Sequence, residues 1–141
     1  VILRPPLIYG AGDRSFGYGP TGFLRKALDG EKIIMWGNGT ELREFIYIDD
    51  IVDIIKKLID SEFNGVLNVV SGKSYTYSDI TRIIRDDLHL DLEVSFRKRT
   101  KHKVDHLFSD LRLRNVVHDF SFTSLNSGIS LMHKSMQNKN D

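Results

Sequence analysis

Arg43 is the residue whose type and position most directly suggest chemistry. It follows a glycine-containing turn at residues 37–39 and precedes an apolar, β-prone run at residues 45–48. A guanidinium group is a planar fork of donors that can bind two oxygens of a phosphate at once. Because residues 33–36 are also β-prone, we expect a hairpin that places Arg43 where a rigid scaffold meets a turn.

A helix is predicted directly after the second β-prone run, over residues 49–60. Asp49 and Asp50 could be a pair of catalytic carboxylates, but adjacent acids before a helix more often cap it, and we interpret them as a cap. Apolar residues then recur at i, i+3, i+4, i+7 and i+8, which predicts one buried stripe. The stripe consists of Ile51, Ile54, Ile55, Leu58 and Ile59.

Two short motifs share features with phosphate-binding loops, and neither is complete. Residues 10–15 (GAGDRS) follow a strand as a dinucleotide fingerprint does, but Ser15 replaces the third glycine and the glycine-rich residues behind it cannot start a helix. Residues 72–74 (GKS) end like a P-loop, but Leu67 stands where its first glycine is required. We therefore interpret residues 10–22 as a loop and residues 72–74 as a turn between a strand and a helix.

Three other features have a functional and an ordinary interpretation. The basic run at residues 97–103 (RKRTKHK) could contact phosphates, but exposed charge is usually only solvated, and we favour a solvated loop. Trp36 could stack on a base, but on an alternating strand it is more often a core residue. Histidines with no spacing such as HExxH predict no metal site, and they stand at positions 89, 102, 106, 118 and 133.

The composition is that of an ordinary globular domain. The chain has 141 residues, of which 40% are hydrophobic and 28% charged. With 20 basic and 19 acidic side chains the net charge is +1, so no overall field attracts nucleic acid or a membrane. The absence of cysteine excludes disulfides and thiolate chemistry and fits a cytoplasmic protein. No apolar run approaches the roughly 20 residues of a membrane helix. Because residues 1–3 already form a strand pattern, we expect a missing segment upstream.

Strand and helix patterns alternate along the chain, which indicates an α/β fold with parallel pairing. Residues 1–3 and 66–70 are uninterrupted apolar runs, so we expect strands that are buried on both faces in an intact protein and expose apolar surface in this piece. A half-exposed strand is predicted at residues 92–96. Helices are predicted at residues 23–28 with a cap near Thr21, 78–88 with Ser78 as the cap, 111–116 and 125–136.

Four motifs occur together in the order and spacing of one family. They are residues 3–13 (LRPPLIYGAGD), 34–39 (IMWGNG), 43–50 (REFIYIDD) and 67–72 (LNVVSG). With them the chain resembles the carboxy-terminal part of the NAD-dependent epimerase/dehydratase family, the extended short-chain dehydrogenases that remodel nucleotide sugars. Residues 120–129 are similar to the closing helix signature of that family. The resemblance covers nearly the whole chain and implies the substrate-binding portion of an extended Rossmann-type protein with a few parallel core strands.

The resemblance also implies roles for individual positions. Arg43 matches the residue that holds the diphosphate of the sugar nucleotide. The segment against the nucleobase corresponds to Ile34, Met35 and Trp36. The loop and helix start that close over the nucleotide contain Gly17, Tyr18, Gly19 and Thr21. The strand end whose backbone passes the nicotinamide of NAD or NADP corresponds to Pro5, Pro6 and Leu7.

The sequence departs from the family pattern in three places. Many members have an asparagine at the position of Leu7, where it helps to hold the diphosphate. Many also have a second phosphate-binding arginine shortly before an aspartate like Asp105, where this chain has Lys101 and His102, which supply charge without a bidentate fork. The glycine fingerprint and the Tyr-x-x-x-Lys pair are both absent, so we assign no catalytic residue and expect the chain alone to be inactive.

The sequence therefore supports two main hypotheses. In the first, an intact protein with NAD or NADP epimerises, dehydrates or reduces a UDP-, GDP- or dTDP-linked sugar as a homodimer, and this part binds the nucleotide. In the second, the chain is a non-catalytic fragment or binding module, and nucleic-acid binding is disfavoured. We expect residues 1–10 and 45–72 in the dinucleotide-binding sheet, residues 11–44 and 73–137 in a nucleotide-sugar-binding subdomain, and a tail at residues 138–141.

Overall fold

The computed structural model describes residues 1–15 and 17–138, so most of the tail predicted at residues 138–141 lies outside the described residues. The strands are β1 (Ile2–Arg4), β2 (Leu7–Tyr9), β3 (Ile33–Trp36), β4 (Leu42–Arg43), β5 (Phe45–Tyr47), β6 (Val66–Asn68), β7 (Tyr75–Thr76) and β8 (Val94–Arg97). The helices are α1 (Pro20–Leu28), α2 (Ile48–Ile59), α3 (Tyr77–Arg82) with a π-helical continuation (Ile83–Asp87), α4 (Leu111–Val116) and α5 (Leu125–Gln137).

Strand pairing joins segments that are far apart in the sequence. β1 pairs with β6, β2 with β5 and β3 with β8, all in parallel, and β4 pairs with β7 in antiparallel orientation. The predicted hairpin is therefore wrong, because β3 and β5 pair with other strands. The turn at residues 37–39 docks on the start of α3 instead, where the Ser78 N–H donates to the Gly39 carbonyl at 3.1 Å.

β5 lies between two apolar cores. Phe45 and Tyr47 pack in one core with residues of α1, α3 and α5, whereas Ile46 packs in the other with residues of α2, β6 and α4. Successive side chains of a strand point to opposite faces, so one short strand serves both cores. All three side chains are buried. The strand thereby joins the two halves of the fold.

α2 buries a narrower stripe than the sequence predicts. Ile51, Ile54 and Leu58 are buried, but Ile55 is 41% exposed and Ile59 is 74% exposed. In α2 the buried stripe is limited to positions i, i+3 and i+7, and positions i+4 and i+8, which an amphipathic helix commonly also buries, lie outside the contact. The prediction that Ile55 and Ile59 are buried is therefore wrong.

Asp49 and Asp50 do not cap α2. The helix begins at Ile48, with Tyr47 as the N-cap residue, so both acids lie in the first turn. Buried Asp50 accepts hydrogen bonds from the Thr123 N–H at 3.0 Å and the Thr123 hydroxyl at 2.7 Å. Burial raises the pKa of Asp50 above its ordinary value, although the bonds from Thr123 favour the charged form. The carboxylate thus ties α2 to the segment before α5.

Two other helices begin at residues different from those predicted. α1 starts at Pro20 after Gly19, because proline is favoured in the first turn, and Thr21 lies inside the helix. α3 is capped by Thr76, whose hydroxyl accepts from the Asp79 N–H while the Asp79 carboxylate accepts from the Thr76 N–H, so Ser78 is not the cap. The predicted helices α4 and α5 are confirmed.

The two apolar strands predicted to be buried differ in exposure. Leu67 and Val69 are fully buried, whereas Val1 and Ile2 are each 59% exposed, so β1 presents apolar surface. No described helix is both long enough and apolar enough to cross a membrane.

Gly39 should be intolerant of a side chain. Its φ is +72°, and a Cβ there would lie 2.5 Å from Ser78 Oγ and 2.9 Å from Met35 Sδ. We expect Gly39→Ala to lower the free energy of unfolding in urea by about 2–4 kcal/mol, from left-handed strain plus overpacking. Gly30 is a matched control, because its φ is +68° and no described atom lies within 4 Å of an added Cβ. Gly30→Ala should cost only the strain, about 1–2 kcal/mol, and equal losses would contradict the close contact.

The hydrogen bonds that Asp50 accepts from Thr123 should contribute more to stability than the negative charge of Asp50 does. Asp50→Ala leaves the partly buried Thr123 N–H without its acceptor and should cost about 1–3 kcal/mol of unfolding free energy. Asp50→Asn keeps an acceptor for that N–H and should cost less. Because the pKa of Asp50 is raised in the folded state, the contribution of Asp50 to stability falls as pH rises from about 4, the ordinary carboxyl pKa, towards neutrality. Denaturant titrations at several pH values should show that the unfolding free energy of Asp50→Asn increases relative to that of the wild type as pH rises over this window. A pH-independent difference between the two would contradict the raised pKa.

Candidate functional site

An open cavity of about 550 Å³ lies beside the ends of β3 and β4 and the loop after β8, and we call it the cationic pocket. Its walls carry three cations, Arg43, Arg99 and Lys101, and one carboxylate, Glu41. With neutral histidines, these side chains leave two net positive charges. The other lining residues are Tyr18, Trp36, Tyr77, Thr100, His102, Val104 and His106.

Glu41 binds both arginines of the cationic pocket. Its Oε1 accepts from Nη2 of Arg43, and its Oε2 accepts from Nη1 of Arg99 at 2.6 Å. Burial would raise the pKa of Glu41, but the hydrogen bonds from Arg99 and Arg43 outweigh burial and hold that pKa below its ordinary value. The carboxylate is therefore ionised at neutral pH and bridges the two guanidinium groups.

Arg43 is also bonded to the backbone. Its Nη1 donates to the Leu42 carbonyl at 2.8 Å and to the Val104 carbonyl at 2.6 Å. Arg43 thus lines a cavity and at the same time shares its charge with a carboxylate of the fold. Within the described residues, the guanidinium of Arg99 has a single protein partner, Glu41, which leaves more of its donors for a ligand.

The loop that carries Arg99 is fixed to β4 by three further bonds. The Leu42 N–H donates to Asp105 Oδ1 at 2.9 Å, and the His106 N–H donates to the Leu42 carbonyl at 3.1 Å. The bonds from the Leu42 N–H and from Lys103 lower the pKa of Asp105. The third bond is that of Arg43 to Val104. One side of the cationic pocket is therefore held by contacts between distant segments.

Gly37 allows Arg99 to approach the turn after β3. Its φ is +61°, and a Cβ there would lie only 3.1 Å from Arg99 Nε. A side chain at this position would be strained and would push the guanidinium outwards. The glycine of the turn therefore leaves room for the Arg99 guanidinium at the edge of the pocket.

Aromatic rings form another part of the pocket wall, which we call the aromatic wall. The Trp36 N–H donates to the Tyr18 hydroxyl at 3.0 Å, and the ring centroids of Tyr18 and Tyr77 are 4.4 Å apart. Trp36 is 39% exposed, and Arg97 Cζ lies 5.2 Å from the centroid of its indole ring. The interpretation of Trp36 as a core residue is wrong, because β3 turns this face towards the cavity.

The structure brings together half of the substrate residues inferred from the sequence. Those that line the cationic pocket are Tyr18, Trp36, Arg43, Lys101 and His102. Met35 points into the core and is only 2% exposed. Ile34 is exposed but does not line the pocket. Strand alternation explains the difference between Met35 and its neighbours.

A second, smaller cavity of about 210 Å³ lies next to the glycine-rich loop, and we call it the loop pocket. Tyr18 is a lining residue of both pockets, so the two cavities adjoin at this residue. The remaining described residues of the loop pocket are Leu7, Ile8, Tyr9, Asp13, Ser15, Gly17, Gly19, Pro20, Thr21 and Phe45.

The residues inferred to pass the nicotinamide do not form a dinucleotide site by themselves. Pro5 and Pro6 have no N–H, and the Leu7 N–H donates to the Glu44 carbonyl at 3.3 Å. Among the described residues, the motif at 10–15 does not lead into a helix, because α1 begins only at Pro20. The side chains present therefore do not fit a complete NAD or NADP site.

Sequence reasoning missed Glu41, Arg99 and Tyr77. Glu41 lies two residues before Arg43 on extended backbone, and this spacing puts both side chains on one face, a signal that was available. Arg99 belongs to the basic run interpreted as solvated, but its ion pair leaves it only 21% exposed. Tyr77 comes from the start of α3 and gives no local signal. No cluster of three potential metal ligands occurs in the described part of the chain.

A model of the NAD dependent epimerase/dehydratase family matches residues 1–70. Residues 1–70 therefore belong to this family. The chain is 30% identical over 89 residues to a dTDP-4-dehydro-6-deoxy-D-allose reductase of Streptomyces bikiniensis, covering 59% of this chain and 26% of the reductase. It is 32% identical over 63 residues to a probable GDP-L-fucose synthase 1 of Oryza sativa subsp. japonica, covering 43% of this chain and 19% of the relative. The chain therefore spans well under half the length of these curated relatives.

The fold is also that of the family. A UDP-glucose 4-epimerase of Thermotoga maritima, solved with UDP-glucose, superposes with a TM-score of 0.86 at 20% identity, covering 99% of this chain and 46% of that one. The predicted fold class is confirmed: the chain has an α/β fold with parallel strand pairs, which matches the carboxy-terminal portion of Rossmann-type extended short-chain dehydrogenases in fold.

Proposed function

We propose that the chain is the nucleotide-sugar-binding part of an NAD(P)-dependent epimerase, dehydratase or reductase acting on a UDP-, GDP- or dTDP-linked sugar. The observation that carries this proposal is the cationic pocket, in which two guanidinium groups and one ammonium line a single cavity in a member of the NAD dependent epimerase/dehydratase family. The relatives named above act on or bind sugars linked to each of the three nucleotides.

The charge of the cationic pocket suits the diphosphate of a sugar nucleotide. A diphosphate that is esterified at both ends has two ionised oxygens, which balance the two net positive charges of the walls. Arginine is suited to this contact because its planar donors reach two oxygens of one phosphate. In this arrangement Arg99 supplies most of the donors and Arg43 contributes those that the backbone does not use.

The aromatic wall supplies a surface for the nucleobase. Trp36 presents a partly exposed indole ring beside the cations, and Tyr18 and Tyr77 pack beside one another next to it. Stacking on such rings is tolerant of base identity, because every base has a flat π face. This property agrees with a family in which uracil, guanine and thymine nucleotides all occur.

The loop pocket is suited to the sugar. A ligand whose diphosphate lies in the cationic pocket reaches the loop pocket by passing Tyr18, which lines both. There the oxygens of Asp13, Ser15 and Thr21 can bond to sugar hydroxyls. Gly17 and Gly19 keep this part of the wall free of side chains.

The division of the chain into two units is part of the proposal. Residues 1–10 and 45–72 contain both partners of the β1–β6 and β2–β5 pairs, and residues 11–44 and 73–137 contain both partners of the β3–β8 and β4–β7 pairs. No strand pair among the described residues crosses this division, which supports assigning the first unit to the dinucleotide sheet and the second to the nucleotide sugar. We propose that NAD or NADP is bound mainly by other parts of the protein.

A non-catalytic binding module is the second candidate. It is favoured by the absence of a Tyr-x-x-x-Lys pair and of a complete cofactor fingerprint from the 141 residues. In that case the cationic pocket would bind the nucleotide without any reaction.

Removal of either arginine should weaken nucleotide-sugar binding. By isothermal titration calorimetry of the chain with UDP-, GDP- and dTDP-glucose, we expect Arg99→Ala and Arg43→Ala each to lose about 1.5–3 kcal/mol with whichever nucleotide binds, the range for a charge-assisted hydrogen bond. Lys98→Ala is the matched control, because it removes the same charge from an exposed neighbour outside the pocket. It should lose less than about 0.5 kcal/mol. Unchanged affinity in both arginine variants would refute the diphosphate site.

The chain by itself should bind without turnover. We expect no NADH or NADPH by fluorescence, and no altered sugar by chromatography, when it is incubated with NAD or NADP and the nucleotide sugar that it binds. The physical reason is that no tyrosine in the chain has the lysine partner that lowers its pKa for proton abstraction. Any reproducible product would show that the chain contains a catalytic group not recognised here.

A further inference from the structure

We propose that Glu41 is the positioning residue of the cationic pocket, which holds the guanidinium groups of Arg43 and Arg99 in one arrangement that receives a diphosphate. The inference rests on the proposed function, because it assigns both groups to the ligand. The inference predicts the direction of an effect: Glu41, although it is an anion in the wall of an anion site, strengthens anion binding.

The geometry places Glu41 between two segments that are distant in the sequence. One carboxylate oxygen accepts from Arg43, two residues later in the chain, and the other accepts from Arg99, which is 58 residues away. The side chain of Glu41 is 12% exposed and that of Arg43 is 17% exposed. A pair this well shielded is screened by solvent much less than one on an open surface.

Glu41 removes two obstacles to a two-arginine site. Without an anion between them, the guanidinium groups of Arg43 and Arg99 would repel each other and separate. Their long side chains would also sample many rotamers, and the entropy lost on ordering them would weaken ligand binding. Because Glu41 uses one oxygen for each arginine, it orders both groups before the ligand arrives and leaves other donors of Arg99 available.

The competing view is that Glu41 only weakens the field of the pocket. Its charge lowers the net charge of the walls from three positive charges to two. If charge alone governed affinity, neutralising Glu41 would make anions bind more tightly. If positioning governs it, the same change makes them bind more weakly. The two views therefore predict opposite signs for a single substitution.

The test is calorimetry of the full chain with inorganic pyrophosphate, a probe that needs no base or sugar contact. We expect Glu41→Gln to weaken pyrophosphate binding about tenfold, within the range for lost charge-assisted bonds. Glu41→Asp keeps the charge but is one methylene shorter, so it cannot reach both arginines and should also bind more weakly. Glu62→Gln removes the same charge from an exposed side chain outside the pocket and should bind like the wild type.

A second readout does not depend on a ligand. In nitrogen-15 NMR spectra of the free chain, the side-chain signals of Arg43 and Arg99 should show slow rotation about the Nε–Cζ bond. In Glu41→Gln the rotation should become fast for both arginines, while Arg85, paired with Asp86 on the surface, stays unchanged. Backbone amide spectra establish that the variants are folded.

The outcomes separate this inference from the proposed function. Tighter or equal pyrophosphate binding by folded Glu41→Gln, or unchanged rotation of Arg43 and Arg99, overturns the positioning role and leaves the proposed function standing. If the wild-type chain binds neither pyrophosphate nor any of the three nucleotide sugars, the proposed function fails. The rotation of the two arginines in the free chain then decides whether Glu41 orders them.

Discussion

The burial of three consecutive side chains of β5 between two cores is the constraint on which the rest of the structure depends. Phe45 and Tyr47 fix one face of the strand against α1, α3 and α5, and Ile46 fixes the other face against α2, β6 and α4. A shift of one residue in register would exchange the two faces, so the position of β5 is strongly specified. Buried Glu44, just before the strand, accepts the Ser71 N–H and anchors the start of β5 near the end of β6. Arg43 directly precedes Glu44, so the anchoring of Glu44 also fixes the position of the Arg43 backbone.

The cationic pocket follows from that fixed point and from ion pairing across the sequence. β4 leads directly into β5, so Glu41 and Arg43 emerge at one place beside the cavity. The loop after β8 is then drawn to them by Arg99 and by the bonds that Leu42 makes with Asp105 and His106. Guanidinium groups that are already paired lose less freedom on binding an anion than groups free in solvent. A carboxylate within the site is therefore consistent with anion binding.

Local patterns predicted the elements well and their partners poorly. The runs at β1, β3, β5 and β6 and the helices α4 and α5 lie where composition and periodicity place them, because these properties depend on near neighbours. The hairpin prediction was wrong because a glycine turn allows the chain to reverse direction but does not determine which strand pairs with the strand before the turn. Thr76 displaced Ser78 as a cap because it forms a local capping box with Asp79, a signal that the sequence contained. Asp50 bonded to Thr123 instead of its own helix because a competing polar group came from a distant part of the chain. Trp36 lies on the cavity for the same reason: alternation identifies two faces of a strand, but not which one meets the core.

The sequence by itself determined the α/β class and the likeness to the family, because motifs in register are properties of residue types and their order. It also singled out Arg43 as a candidate, since the chemistry of a guanidinium group is a property of the residue type. Only the tertiary structure decided what surrounds that arginine. Glu41, Arg99 and Tyr77 meet it through contacts that span the chain, and the affinity of a charged group for a ligand depends on every charge within a few ångströms. Distances between residues that are distant in the sequence are set by packing, and no local pattern contains them.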